Sequence, residues 1–321
     1  MATFRLLIIP FSFLLTLIFI STPLSAETLT ITDYQPFFRV GTDTAGNLQI
    51  AIRQYKRNNV PYLLLVNPVT LETATVMKAG INLDCGKTSD IVQNTPFMRA
   101  LDRYSTPPYK LQNHGMVSAG STTDGMFLTV DMCPSKKPFE KVFFVAVAEL
   151  SLQFGRGTPV AIAITGNWLK NHPDDFAWIV RLIKDGKLAI TWVNHSASHP
   201  YDPEAPLERN FLLTPGLDFE SEVLQTEQLL LERGLLPSVF FRFPGLVSDG
   251  KLVRKLRGLS LIPVGSDAWL AKGEIPKRGS IILVHGNGNE PQGIKKALPL
   301  LQKPGRVKLL PLNEAVTGGD L

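Results

Sequence analysis

Two of the chain's five histidines, His195 and His199, stand four residues apart in the stretch 194–200. Imidazoles at this spacing can face the same side of a turn, which is what a divalent metal requires of two nitrogen ligands. Pro200 disfavours helical backbone at His199, so we expect the pair to follow a strand rather than lie inside a long helix. Two histidines at this spacing also occur for purely structural reasons, so the interpretation depends on the rest of the chain.

Further polar residues end apolar runs that are typical of strands. They are Asp131 after 127–130, Arg242 after 239–241 and His285 after 281–284. Because the carboxyl ends of parallel strands meet at one mouth of a sheet or barrel, we expect these side chains to converge with the histidine pair. Each has a structural alternative: Asp131 could cap a turn, Arg242 could pair at the surface, and His285 could be a hydrogen-bonded histidine. Their joint, ordered occurrence favours a single site.

The elements that must position these residues alternate between strand and helix from residue 126 onward. Apolar runs predict strands at 126–130, 160–164, 188–193, 239–242 and 281–284. Helical spacing predicts helices at 174–184, 219–233 and 249–256, the second of them ended by Gly234. This alternation predicts an α/β fold with a parallel sheet or barrel.

The region before residue 126 has a different pattern. Short apolar or alternating runs at 29–32, 48–52 and 62–66 predict a small β-rich module. The stretch 82–121 is poor in periodicity, and we interpret it as a linker or wrapping segment. The predicted organisation is therefore a signal peptide over 1–26, a β-rich module and linker over 27–120, and a catalytic domain over 121–321.

The first residues have the three-part layout of a secretory signal peptide. Arg5 gives a basic start, 6–20 is almost wholly apolar, and the small-residue exit 23–26 predicts cleavage after Ala26. An apolar run of about 15 residues is short for a membrane span, which needs roughly 20. The chain is thus predicted to be exported, periplasmic or secreted, with no stable membrane span after cleavage.

Composition narrows the partners and the redox chemistry. The formal charge is only +5 and no run of Lys and Arg occurs, which argues against a nucleic-acid partner. Hydrophobic residues make up 44% of the chain, enough for a sizeable core. In an exported protein Cys85 and Cys133 are free to form a disulfide, but the sequence does not show that they lie close together. Composition says nothing of the oligomeric state.

Five motifs in order resemble the NodB-homology family of carbohydrate esterases, the polysaccharide deacetylases. The similar runs are Thr129-Val130-Asp131-Met132, His195-Ser196-Ala197-Ser198-His199, Arg242-Phe243-Pro244-Gly245 (which lacks the motif's aromatic residue), Asp267-Ala268-Trp269 and Leu283-Val284-His285. The resemblance covers roughly 126–310. It implies a NodB-like distorted (β/α) barrel after the β-rich module, and hydrolysis of the acetamide of an N-acetylated glycan.

The resemblance also implies roles for particular residues. Asp131 would be the general base, held by Arg242, and His285 the general acid that protonates the leaving amine. His195 and His199 would bind the divalent metal, with zinc expected first. The remaining residues assigned to the site are Asp267, expected to tune His285, and the substrate-contacting Trp269, Phe243, Pro244 and Asn287.

One position departs from the family pattern. The second carboxylate of motif one is a metal ligand in the family, and Met132 stands there in this chain. A thioether is a soft, neutral ligand and a poor replacement for a hard carboxylate. Three arrangements stay open: Asp131 coordinates the metal, a nearby carboxylate such as Asp202 replaces the lost ligand, or metal binding is weak or absent.

Three functions follow from these alternatives. The first is a metal-assisted hydrolase that removes acetyl groups from N-acetylated glycans such as peptidoglycan or chitin. The second is a carbohydrate-binding pseudoenzyme that keeps the groove but has lost the metal. The third is an amidase acting on an amide outside sugars, since no residue specifies the sugar.

Overall fold

The structure, a computed structural model, describes residues 29–83, 90–120, 122–155, 157–302 and 308–318. The predicted signal peptide and Cys85 lie outside these ranges, so the export and disulfide hypotheses stay predictions. Within them the chain has an α/β fold: a distorted (β/α) barrel built on a parallel sheet, preceded by a separate antiparallel sheet. This is the fold class that the sequence pattern predicts.

The N-terminal sheet has the strand order β4-β3-β2-β1-β5. Its strands are β1 (Ile31–Thr42), β2 (Leu48–Arg57), β3 (Val60–Val66), β4 (Thr73–Met77) and β5 (Asn82–Leu83). Asn58 and Asn59, both with positive φ, form the two-residue turn between β2 and β3, which is the conformation that matches the twist of a hairpin. The predicted runs 48–52 and 62–66 lie in strands, whereas of the run 29–32 only residues 31 and 32 do, since β1 begins at Ile31.

The stretch 82–121 is more structured than its weak periodicity predicts. It contributes β5 and two helices, α1 (Asp90–Gln93) and α2 (Pro96–Tyr104). Phe97, Ala100 and Leu101 bury one face of α2, whereas Arg99 and Asp102 face solvent. A helix this short carries only about two turns of apolar spacing, which explains why the sequence pattern did not predict it.

The parallel sheet has the strand order β10-β9-β8-β7-β6-β12-β11. Its strands are β6 (Phe127–Met132), β7 (Thr158–Ile164), β8 (Leu188–Asn194), β9 (Pro237–Phe241), β10 (Ile262–Pro263), β11 (Ala268–Trp269) and β12 (Ile281–His285). The accompanying helices are α3 (Lys141–Glu149), α4 (Ser151–Phe154), α5 (Gly166–Asn171), α6 (Pro173–Lys184), α7 (Phe219–Glu232), α8 (Gly250–Gly258), α9 (Pro291–Leu301) and α10 (Glu314–Thr317). Every paired strand in this sheet runs parallel to its neighbour.

Strand alternation separates an outer layer from the barrel interior. On β6, Leu128, Val130 and Met132 point outward into a core shared with α3 and α9. Thr129 and Asp131 point inward, where both accept hydrogen bonds from Arg242. Because successive side chains on a strand face opposite sides, the two neighbours Asp131 and Met132 serve different layers.

The seam of the barrel lies between its two edge strands. Only 264–267 separate β10 from β11 along the chain, and Arg242 bridges this segment. Its Nη2 donates to the Gly265 carbonyl at 2.9 Å. The same guanidinium also donates to Thr129 and Asp131 on β6, so it links the segment between the two edge strands to β6 across the interior.

The N-terminal sheet packs against the barrel in a shared core. Ile50, Leu64 and Val66 belong to one apolar cluster with Phe127 and Phe240 from the barrel strands. A buried ion pair between Arg53 on β2 and Glu227 on α7 joins the same two parts. Among the residues that the structure describes, no helix has both the length and the apolar character that a membrane crossing requires.

Candidate active site

The carboxyl ends of β6, β8, β9 and β12 open into one cavity of about 580 Å³. The residues that sequence reasoning assigned to it and that line it are Asp131, His195, His199, Trp269 and His285. Arg242 lies directly beneath, with 1% of its side chain exposed. The ordered polar residues at strand ends therefore converge, as parallel topology requires, while their catalytic roles stay predictions.

Asp131 and Arg242 form a buried ion pair at the base of the cavity. Nη1 of Arg242 donates to Asp131 Oδ1 at 2.7 Å and to Thr129 Oγ1 at 2.6 Å. Asp131 Oδ2 has no such donor and lies 3.7 Å from His195 Nε2. One carboxylate oxygen is thus committed to Arg242, and the other faces the histidine pair and the cavity.

Cys133, His195 and His199 form a candidate metal centre. One ligand atom from each of the three lies within 4.8 Å of the others, and Cys133 Sγ is 3.5 Å from His195 Nε2. A thiolate and two imidazoles are zinc ligands. Sequence reasoning missed Cys133 as a ligand, although the signal was present: a cysteine two residues after Asp131, beyond an unsuitable methionine.

Met132 and Asp202 do not contribute to this centre. The Met132 side chain is fully buried in the outer core against the helices, because it follows Asp131 by one residue on the strand. Asp202 is exposed, and its Oδ1 accepts the backbone N–H of Glu204. The third donor of the candidate centre is therefore Cys133, one residue after Met132, and not the Asp202 carboxylate that we considered.

Hydrogen bonds outside the centre orient its ligands. His195 Nδ1 lies 2.8 Å from the Arg242 carbonyl oxygen, which can only accept, so Nδ1 carries the proton and Nε2 is left as a ligand. The His199 amide donates to Ser196 Oγ. Glu222 on α7 accepts both the Ser198 amide at 2.8 Å and the Ser198 hydroxyl at 2.6 Å, which fixes the loop between the two histidines.

His285 stands across the cavity beside a carboxylate and an aromatic ring. Its Nδ1 lies 2.9 Å from Glu290 Oε2, an ion-pair contact rather than an aligned hydrogen bond. The same oxygen accepts the Trp269 indole N–H at 2.7 Å, and the Trp269 and His285 ring centres are 6.1 Å apart. Glu290, Trp269 and His285 therefore form one connected group.

Asp267 does not occupy the place beside His285 that the motif resemblance implied. Its carboxylate accepts the Ile281 amide at 3.0 Å and the Ser280 hydroxyl at 3.2 Å, at the amino end of β12. His285 ends that strand four residues later, about 13 Å along it. Glu290, from the loop before α9, is the carboxylate that contacts His285 instead.

The charges in this cavity are strongly coupled. Burial alone would raise the pKa of Asp131, but the Arg242 guanidinium together with the His195 and His285 imidazoles outweighs burial, and the pKa is lowered. Burial would likewise raise the pKa of Cys133, yet the surrounding imidazoles, His199 foremost, hold the thiol well below its usual pKa. Burial would lower the pKa of His285, but the Cys133 charge and the Glu290 contact raise it.

Three of the residues expected to contact substrate lie elsewhere. Phe243 is buried in a separate aromatic core with Phe219 and Phe241, and Pro244 is buried beside the cavity-lining Gly245. Asn287 is also buried, and its Nδ2 donates to the Cys133 carbonyl oxygen at 2.7 Å. This contact holds the backbone of Cys133 in the candidate metal centre. The polar residues that do line the cavity after His285 are Asn289 and Glu290.

Comparison with known proteins gives one family match and several distant structural likenesses. Residues 32–96 match the family model described as the RP012 protein N-terminal domain. A family 4 carbohydrate esterase from Bacillus anthracis is similar at 16% identity and a TM-score of 0.45, over 73% of this chain and 95% of that chain.

Two further solved structures have comparable scores. The chitin deacetylase from Colletotrichum lindemuthianum has 16% identity and a TM-score of 0.42, over 64% of this chain and 92% of that chain. A family 4 carbohydrate esterase pseudoenzyme from Bacillus anthracis has 12% identity and a TM-score of 0.44, over 64% of this chain and 69% of that chain. At such scores the likeness is distant, so the fold assignment rests on the strand order and connections themselves.

Proposed function

We propose that this chain is a metal-assisted hydrolase that removes acetyl groups from N-acetylated glycans, as its five ordered motifs imply. The observation that carries the proposal is the convergence of three different groups on one cavity. They are the Asp131–Arg242 pair, the Cys133, His195 and His199 centre, and the His285–Glu290 pair. Amide hydrolysis needs a base, a polarised carbonyl and an acid for the leaving nitrogen, and this set supplies each of them.

The donor set fits zinc as the cofactor. Cys133, His195 and His199 would hold the ion, leaving a fourth position open, as in catalytic zinc sites with one thiolate or carboxylate among the ligands. The bond from His195 Nδ1 to the Arg242 carbonyl supports this, because it presents Nε2 as a lone pair. Bound zinc supplies Lewis-acid polarisation of the acetyl carbonyl and of water.

Asp131 is suited to be the general base because only one of its oxygens is committed to Arg242. Oδ2 faces the cavity and can accept a proton from the attacking water, whose oxygen then bonds to the acetyl carbon. Arg242 keeps the carboxylate fixed through this step, since it is itself held by the Thr129 hydroxyl and the Gly265 carbonyl. Positioning of this kind removes the entropy of bringing base and water together.

His285 is suited to be the general acid on the opposite side. The Glu290 carboxylate beside Nδ1 leaves Nε2 as the nitrogen available to the cavity. When the carbon–nitrogen bond breaks, His285 would give its proton to the leaving amine, so that acetate and a free amino sugar are the products. The Trp269 indole, tied to Glu290, would wall the space beside the acetyl methyl.

The test is acetate release from chitin oligosaccharides and from peptidoglycan fragments by zinc-loaded protein. We expect release by the wild type and a loss of about 10²–10⁴-fold in Asp131→Asn, the range that general-base removal costs. Asn keeps the size and one acceptor, so the metal content should be retained. The variant leaves Arg242 without its countercharge and should be less stable, so activity is compared at a temperature where circular dichroism shows it folded and elemental analysis shows its zinc.

A pseudoenzyme is the second candidate, and the same experiment separates the two. The hydrolase proposal would be wrong if zinc-loaded protein bound glycans but released acetate from none of these substrates. That result would favour a carbohydrate-binding function. Release of acetate from simple amides but not from glycans would favour the amidase alternative. The proposed compartment, outside the cytoplasm, rests on the predicted signal peptide alone.

A further inference from the structure

Tyr201 is an unusual side chain for this molecule because its ring is exposed. It is 63% exposed, and every other aromatic side chain in the described ranges is buried or half-buried. Burial of an aromatic ring is favourable because the ring has a large apolar surface, so an exposed ring at the rim of a cavity indicates a binding surface. Tyr201 lines the cavity that holds the candidate metal centre.

The ring is held in place by a second aromatic side chain. Tyr201 stacks on Phe211 with ring centres 5.2 Å apart and planes 25° apart. Phe211 in turn meets His199 edge-on at 5.7 Å. We name Tyr201 and Phe211 together the aromatic shelf. Its inner face contacts a ligand of the candidate metal centre, and its outer face is open.

The backbone around the shelf is built to keep it there. Gly245 has a φ of +61°, and a Cβ at this position would lie 2.4 Å from the Phe211 ring, so only glycine lets the ring settle. The Phe211 ring therefore packs directly on the Gly245 backbone, which comes from a different loop.

A buried asparagine closes the loop that carries both rings. Asn210 is 2% exposed, and its Oδ1 accepts the amides of Asp202 and Phe211. Its Nδ2 donates to the carbonyls of Asp202 and Ala205. With all four of its hydrogen-bonding positions used inside the loop, the shelf is held ready before any ligand arrives.

We propose that the aromatic shelf is a subsite for the sugar ring next to the one that carries the reacting acetyl group, so that the substrate is a glycan chain and not a single sugar. This rests on the proposed function. A pyranose has an apolar C–H face and a rim of hydroxyls. It suits a single exposed ring bordered by polar groups better than a lipid or an apolar peptide, which would need a continuous apolar groove. Lys272 and Asn289 line the same cavity and can meet hydroxyls.

The test compares binding of the N-acetylglucosamine monomer and its β-1,4 tetramer by calorimetry, using zinc-loaded full-length protein. We expect Tyr201→Ala to weaken tetramer binding by about 5–10-fold, as for loss of one aromatic stacking contact, and to leave monomer binding unchanged. Tyr201→Phe keeps the ring and should bind the tetramer nearly as the wild type does. Leu152→Ala, which trims an exposed apolar side chain on α4, is the matched control and should change neither.

Three outcomes would overturn the proposal that the aromatic shelf is a sugar subsite. Tetramer binding that is unaffected by Tyr201→Ala, or monomer binding weakened equally, would mean that no second ring rests there, and so would failure of the wild type to bind the tetramer more tightly than the monomer. Because the readout is binding, it is separate from acetate release. If binding depends on chain length through Tyr201 but no acetate is released, the subsite proposal stands and the hydrolase proposal fails. If acetate is released but binding does not depend on Tyr201 and chain length, the hydrolase proposal stands and the subsite proposal fails.

Discussion

In the part of the chain that the structure describes, two arginine–carboxylate pairs are almost fully buried, and they differ in whether a hydrogen-bonding position stays unused. Arg53 and Glu227 join the N-terminal sheet to α7, with 0% and 1% of their side chains exposed. Arg242 and Asp131 lie at the base of the cavity, with 1% and 5% exposed. Both pairs have a shortest nitrogen–oxygen distance of 2.7 Å, so distance and burial do not tell them apart.

The first pair is closed. Arg53 donates Nε and Nη2 to the two oxygens of Glu227 and Nη1 to two backbone carbonyls. Glu227 also accepts the Tyr34 hydroxyl at 2.8 Å. The oxygens of Glu227 are therefore all used inside the protein. Burial, and next to it the neighbouring Glu227 carboxylate, raises the pKa of Tyr34 well above its usual value.

The second pair is open on one side. Arg242 is satisfied in the same way, by Thr129, Asp131 and the Gly265 carbonyl. Asp131 keeps one oxygen without a donor, and that oxygen faces the cavity. The unused acceptor of Asp131 is what distinguishes the open pair, since buried polar groups are otherwise paired. The closed pair predicts an effect of substitution on stability, and the open pair and its cavity predict an effect on metal binding.

The largest expected effect is on stability, in Glu227→Gln. The change leaves the Arg53 guanidinium buried without a countercharge, and such a loss costs about 3–5 kcal/mol. Denaturant unfolding followed by fluorescence measures it. The matched control is Asp102→Asn, which breaks the exposed pair with Arg257 and should cost about 0–1 kcal/mol.

Acetate release by Glu227→Gln should remain near wild type at temperatures where the variant is folded. Equal destabilisation by the two substitutions would contradict the closed-pair interpretation. A selective loss of activity in folded Glu227→Gln would instead mean that this pair communicates with the cavity.

The next effect is on metal binding, in Cys133→Ser. Serine keeps the size but is a far weaker ligand at neutral pH, so we expect zinc affinity to fall by more than about 10-fold, the lower bound for changes around such sites. Elemental analysis and competition with a chelating dye measure it. Cobalt-substituted wild type should show the near-ultraviolet absorption of a cobalt–thiolate bond, and the variant should not.

Met132→Leu is the control for this prediction. Its side chain is buried in the outer core, so a volume-conserving change should keep the metal and cost under about 1.5 kcal/mol. If Met132→Leu lost the metal and Cys133→Ser retained it, the assignment of the two neighbours to different layers would be wrong.

The smallest expected effect is in Glu222→Gln, which lies between the two regions. The glutamine side chain has one oxygen, so it cannot accept hydrogen bonds from both the backbone N–H and the hydroxyl of Ser198 through separate oxygens, as Glu222 does. The loop between His195 and His199 should therefore become less well fixed. We expect zinc affinity to fall by about 10-fold and stability by about 1 kcal/mol. Glu220→Gln, on the exposed face of the same helix, should change neither, and equal zinc binding in both variants would remove Glu222 as a positioning residue.

The strand ends were predictable because they depend on local pattern. The apolar runs before Asp131, Arg242 and His285 predict strands that end in polar residues. In a parallel sheet, the carboxyl ends of such strands lie on the same edge. Pro200 gave the correct expectation that the histidine pair follows a strand, since His195 comes directly after β8. The fold class, set by the alternation of strands and helices, is confirmed.

The partners around those residues were not predictable in the same way. Met132 and Cys133 could not be told apart as ligands until the direction of β6 was known, because a shift of one residue exchanges the barrel interior for the helical layer. Asp267 was expected beside His285 from its place in a motif, but Glu290 holds that position through a loop whose path the sequence does not reveal. Short α2, with few turns of periodicity, was missed for lack of signal.

By itself, then, the sequence determined which chemical groups this protein has and their order at the ends of parallel strands, since strand and helix periodicities are local properties of the chain. Only the tertiary structure decided which side chains meet. The Cys133 contact with His195 spans 62 residues, and the Phe211 ring over Gly245 joins two loops. Contacts at such separations depend on how whole layers pack, which no local pattern encodes.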